Sequence, residues 1–176
     1  MNRMKRTFTL LAVTGLIAAI SLLYAASRHS SVQAGMMHDE ENLPRETRRE
    51  LAKARKATAR YRDIGQAMAD GYADINVVVP NMGRHYLKAP LLDDHFDPEI
   101  PELLVYAATT CDNDKLRLVA VEYAVPIAQS ATPPEGFNGD HDEWDRNETF
   151  GLWTLHAWIW YENPDGVFAE LNPRVP

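Results

Sequence analysis

The chain has 176 residues, a single cysteine and a formal net charge of −7. The negative charge is concentrated late, because residues 63–176 hold 6 basic against 20 acidic side chains. Such a body excludes nucleic acid and anionic membrane surfaces as partners, and one cysteine excludes an internal disulfide.

The first 34 residues read as an export signal. Arg3, Lys5 and Arg6 precede an uncharged run from Thr7 to Ala26, and Val32-Gln33-Ala34 puts Val and Ala where a signal peptidase reads. Residues 7–26 are also long enough to cross a bilayer as an uncleaved anchor. The expected location is therefore periplasmic or secreted, with membrane contact only through such an anchor. Residues 35–44 read as a flexible lead-in, and residues 45–176 as one globular domain.

Pro44 suits the first turn of a helix. Ala57, Tyr61, Ile64, Met68 and Tyr72 recur at helical spacing as one apolar stripe. Thr47 with Glu50, and Asp63 with Gln66, form two candidate capping boxes. The second box, with Gly65 nearby, predicts a break near Arg62, and Gly71 predicts the helix end. Arg48, Arg49, Lys53, Arg55, Lys56, Arg60 and Arg62 form a basic face that reads as solvated.

Strand patterns follow. Residues 75–79 and 84–87 flank a turn at Asn81-Met82-Gly83. Residues 89–102, with Pro90, Pro98 and Pro101, read as a surface loop. Residues 103–108 and 116–125 read as a hairpin around Cys111-Asp112-Asn113-Asp114. Residues 129–149 read as a long loop, residues 154–161 as the last strand, and Asn163-Pro164-Asp165-Gly166 as a turn. The fold class is α+β: an N-terminal helix or helical hairpin, then an antiparallel sheet of about four or five strands. A small closed β-barrel is the alternative.

Strand alternation sorts the side chains that could carry chemistry. Glu122 shares a face with Leu116, Leu118, Ala120 and Ala124. His156 shares one with Thr154, Trp158 and Trp160. A carboxylate on an aliphatic face needs a partner, a proton or a metal. His85, just after the Gly83 turn, is the third candidate. Together, His85, Glu122 and His156 make a two-histidine, one-carboxylate set suited to a divalent transition metal such as zinc, iron or manganese. His95 or His141 could add a ligand from a loop. Tyr86, Tyr123, Trp158 and Trp160 are the candidate pocket walls, with Tyr161 nearby.

Three functional classes remain open on these residues. One is a binding domain for a metal ion or small ligand. A second is an enzyme, a hydrolase or isomerase, using the same pair as acid and base. A third is a structural or interaction module in which Glu122 simply satisfies a buried histidine. Other signals read blandly. The acidic loop at Asp140, Asp142, Glu143 and Asp145 fails the EF-hand pattern and reads as solvated. Asn147-Glu148-Thr149 is a glycosylation sequon. Cys111 sits in a turn with no activating base in view.

The segments ATARYRDIGQAMADGY, MGRHY, FDPEIPELLVY, KLRLVAVEYAVP and LHAWIWYENPDGVFAELNP together cover most of residues 57–174. In that combination the chain resembles a family of small exported bacterial proteins of unknown function. The resemblance implies export and a single domain, and it names no substrate. His85 and His156 lie within the shared motifs; His95 and His141 lie outside them.

Overall fold

The α-helix Arg45–Thr58 (α1) begins at Pro44 and buries Thr47, Leu51, Ala54 and Thr58. The computed structural model describes residues 42–109, 112–139 and 141–176. The signal or anchor, the first part of the lead-in and Cys111 lie outside the described residues. After α1 the chain tightens into a 3-10 turn at Ala59–Arg62 and restarts as the short helix Ile64–Ala69 (α2).

The break near Arg62 thus occurs as expected, and it resets the helical phase. The buried stripe is Leu51, Ala54, Thr58, Tyr61 and Ala67, while Met68, expected inside, is 58% exposed. The first capping box does not form. Thr47 lies inside the helix and donates its hydroxyl to the Asn138 carbonyl, and Glu50 accepts from the Asn138 N–H. Both side chains tether the 129–149 loop instead. In the second box only Asp63 caps, accepting from the Gly65 N–H at 2.9 Å; Gln66 turns to Asp70. Gly71, at φ 96°, ends α2 in the left-handed conformation that glycine tolerates.

The α+β class holds, with a helical start followed by one curled, antiparallel sheet. The sheet has six strands rather than four or five, in the order β1-β2-β3-β4-β6-β5. They are Ala73–Val79 (β1), Gly83–Leu87 (β2), Leu103–Thr109 (β3), Asp112–Pro126 (β4), Asp145–Asn147 (β5) and Leu152–Ala157 (β6). The extra strand is β5, three largely exposed residues inside the expected 129–149 loop. It carries no apolar alternation, and only its pairing with β6 defines it. The sheet is open, with β1 and β5 as its edges, so it is a half-barrel and not the closed barrel.

The two faces of the sheet bury different things. On one face α1 packs Leu51 and Ala54 against Tyr86, Leu104, Tyr106, Val121, Tyr123 and Leu155. The other face carries Met82, Val105, Ala107, Ala120, Trp158 and Val175. The C-terminal segment is fastened there. Asn172 N–H donates to the Asn81 carbonyl at 2.7 Å, and Trp158 N–H donates to the Val167 carbonyl at 2.8 Å. Arg55 leaves the basic face to donate from Nε to the Ile159 carbonyl at 2.9 Å.

Gly83 opens β2 at φ 122°, and a Cβ there would lie 2.6 Å from the Tyr106 carbonyl oxygen. Gly83→Ala should therefore destabilise the fold by about 2–4 kcal/mol, because strain and steric clash add. Urea unfolding checks this; a loss below about 1 kcal/mol would mean that β2 yields without disturbing β3.

Candidate metal centre

The register of three strands brings the three titratable residues together. Glu122 on β4 is directly paired with His156 on β6, so their side chains stand on the same face. Leu103 on β3 pairs with both Glu122 and Leu87, which puts His85, two residues before Leu87, on that face as well. His85 itself pairs with Val105, which pairs with Ala120, so its nearest neighbours across the sheet are aliphatic. His85, Glu122 and His156 are 4%, 6% and 5% exposed, so water screens none of them.

His85 is aimed by an irregularity in β1. Asp74 pairs with Tyr86 and Val78 with Arg84, so three β1 residues stand opposite His85 alone. The backbone absorbs them by turning Asn76 to φ 57°. This bulge brings the Val77 carbonyl to His85, whose Nδ1–H donates to it at 3.2 Å. A carbonyl can only accept, so the proton sits on Nδ1 and the lone pair on Nε2 faces Glu122. Metal-binding histidines are held in the same way, with the second ring nitrogen tied to a backbone carbonyl or carboxylate.

Burial sets the charges. It pushes the Glu122 carboxyl up to about 8, assisted by Glu102. It pulls His156 down to about 3, assisted by His85. His85 is lowered by burial, opposed by its bond to Val77. At neutral pH the cluster is thus a protonated acid between two neutral imidazoles, and not a set of ion pairs.

The spacing is wrong for hydrogen bonds. His85 Nε2 lies 3.5 Å from Glu122 Oε2, and His156 Nε2 lies 3.7 Å from Glu122 Oε1. Neither is a good O–H···N distance. Glu122 Oε2 and His156 Nε2 are in fact buried with no hydrogen-bond partner. Leaving such atoms unpaired costs about 1–3 kcal/mol each. Two ligands held about 2.1 Å from one ion at the tetrahedral angle are about 3.4 Å apart, close to both separations. One ligand atom from each of the three residues lies within 4.8 Å of the others.

The other candidates are dispersed. Tyr86 and Tyr123 alternate to the helix-facing side, where Tyr86 packs edge-on to Tyr106 and Tyr123 donates to the Pro98 carbonyl. They do not wall the centre. β6 ends at Ala157, so the alternation expected through Tyr161 stops there. Trp158 remains near His156, its ring 6.5 Å away and nearly parallel, and donates Nε1–H to the Ala169 carbonyl. Trp160 swings to the helix side and donates to Thr58. Tyr161 is half-buried beside the Trp158 cluster. His95 is exposed in a separate group with Asp93 and Asp94, and His141 is exposed and joins neither group.

Sequence reasoning missed Glu102. It is buried, accepts from the Ala124 N–H at 3.0 Å, and is pushed up to about 7 by burial. Its position just after Pro101 hid it, because the prolines read as surface loop. No protein-family model, curated protein or solved structure matches the chain.

These charge states give the metal-free protein a characteristic pH dependence. Neutral buried histidines add stability as pH rises toward the ordinary histidine value of 6.5. Glu122 acts in the opposite sense: the folded state holds its proton between the ordinary 4.5 and about 8. Above about pH 7 the histidine contribution is complete and Glu102, raised only to about 7, has largely lost its proton in the folded state too, so Glu122 dominates. Stability should fall from about pH 7 to 8 by up to about 1.4 kcal/mol per pH unit. Unfolding of chelator-treated protein across that range checks it; Glu122→Gln should flatten the curve.

Proposed function

We propose that the protein is an exported small domain that holds one divalent transition metal ion through His85, Glu122 and His156. The observation that carries the reading is that Glu122 Oε2 and His156 Nε2 are buried without partners, while the two carboxylate oxygens of Glu122 stand 3.5 Å from His85 Nε2 and 3.7 Å from His156 Nε2, gaps that an ion would bridge. Two imidazoles and a carboxylate suit zinc, iron or manganese. Export is supported by the basic start and uncharged run of residues 7–26.

Three protein ligands leave at least one coordination position open, as catalytic sites do. A hydrolase or isomerase would use that position for water or substrate. A cavity that reaches His156 favours this second reading over a closed structural site.

Titration of chelator-treated protein with Zn2+ or Co2+ tests the proposal. One ion per chain should bind and raise Tm, by about 2.7 kcal/mol of added stability at a hundredfold excess over Kd. Binding near pH 7 should release about one proton, because Glu122 must ionise and the histidines are already neutral. Glu122→Ala and His156→Ala should each abolish binding. A protein that takes up none of zinc, cobalt, manganese or ferrous iron at neutral pH sinks the reading.

A further inference from the structure

The acidic body has a basic counterpart in α1. With about 3.6 residues per turn, the buried stripe Thr47, Leu51, Ala54 and Thr58 fixes which side of the helix faces out. Arg45, Arg49 and Lys56 stand opposite that stripe, flanked by Arg48 and Lys53, and all five are exposed. The acids of the helix do not cancel them. Glu50 turns aside to Asn138, and Glu46 reaches only Arg49, at 3.9 Å with both side chains mostly in water. Among the described residues, Arg45, Arg48, Lys53 and Lys56 have no ion-pair partner. From Arg45 to Lys56 the cations form a convex strip about 17 Å long. Such a strip lacks the convergent donors that hold a small anion, and it suits a broad anionic surface.

The place of the strip in the chain says which surface. Residues 7–26 read as an export signal or a bilayer anchor, and α1 is the first described element after them. In the anchored form residues 27–44 are the link, and fully extended they reach at most about 60 Å. We propose that the outer face of α1 docks on an anionic phospholipid bilayer. Docking of this kind does not depend on the metal reading. The exclusion of anionic membranes drawn from charge holds for residues 63–176, with 6 basic against 20 acidic side chains, and not for α1. Cations near an anionic bilayer are attracted within a Debye length, while the acidic body is repelled, so one orientation is favoured. That orientation puts the helix side of the sheet toward the lipid and the face carrying Glu122 and His156 away from it. An apolar anchor and a basic patch together hold a protein to a membrane better than either alone.

The test places a fluorophore on full-length protein in vesicles that carry a headgroup quencher. In a Cys111→Ser background, Ala52→Cys puts the label on an exposed position within the strip, and Glu99→Cys puts it in the acidic 89–102 loop as a control. Vesicles are phosphatidylcholine alone, or phosphatidylcholine with roughly one-third phosphatidylglycerol. Quenching at position 52 should be at least about twofold stronger in the anionic vesicles. It should disappear at about 1 M salt, where the Debye length is about 3 Å. Arg48→Gln/Arg49→Gln/Lys53→Gln/Lys56→Gln should abolish it without changing Tm appreciably, since all four side chains are exposed. The salt arm needs no substitution in the strip, so the result stands even if that variant folds poorly. The label at position 99 should stay unquenched throughout. Equal quenching in neutral and anionic vesicles, insensitivity to salt, or equal quenching at position 99 overturns the docking. So does salt-sensitive self-association in sedimentation, abolished by the fourfold variant, with no lipid quenching at position 52; the occupant is then the acidic body of a second copy.

Discussion

Glu122 stands between His85 and His156 on a face of the sheet that water does not reach, and much else follows from that confinement. Burial favours the uncharged form of each group, so the carboxyl keeps its proton and both imidazoles stay neutral. The fold thereby avoids burying a charge, at the cost of leaving good acceptors and donors just out of reach of one another. A cation placed among them would reverse the preference of the carboxyl and satisfy all three at once.

The rest of the structure keeps that face dry and its members in register. The β4–β6 pairing sets Glu122 opposite His156, and β3 spaces His85 two strands away. The helix and the tyrosines occupy the opposite side, where Tyr72 and Tyr106 donate their hydroxyls to the carbonyls of Pro101 and Tyr61. Behind the centre, Trp158 and Val175 pack with Val105 and Ala120. The C-terminal segment is closed by mutual bonds, Asn172 to the Asn81 carbonyl and Asn81 to the Pro176 carbonyl. Stability and site geometry therefore draw on different faces of one sheet.

The parts of this arrangement that were legible in the sequence are those that depend on local period. Two-residue alternation assigned Glu122 and His156 to buried faces, and apolar runs on either side of turn residues located β3 and β4. Alternation also separates Tyr123 from Glu122, and Tyr86 from His85, although aromatic character alone suggested a shared pocket. What stayed hidden depends on partners distant in the chain. β5 is a strand only because β6 lies beside it. Thr47 and Glu50 look like a cap until Asn138 is seen to claim both. Trp160 leaves the expected face because the chain irregularly rejoins β4, with its N–H donating to Val119. No sequence period announces that three β1 residues will face one histidine.

That widened stretch of β1 has a second effect, because β1 is an edge of the sheet. Open edges invite strands from other molecules, and Ile75 and Val78 would offer an incoming strand apolar side chains. With Asn76 in the left-handed region, the edge cannot present a continuous, evenly spaced row of donors and acceptors. The opposite edge is only three residues long. The same distortion that supplies a carbonyl to His85 thus also guards the molecule against stacking into fibrils through its longer edge.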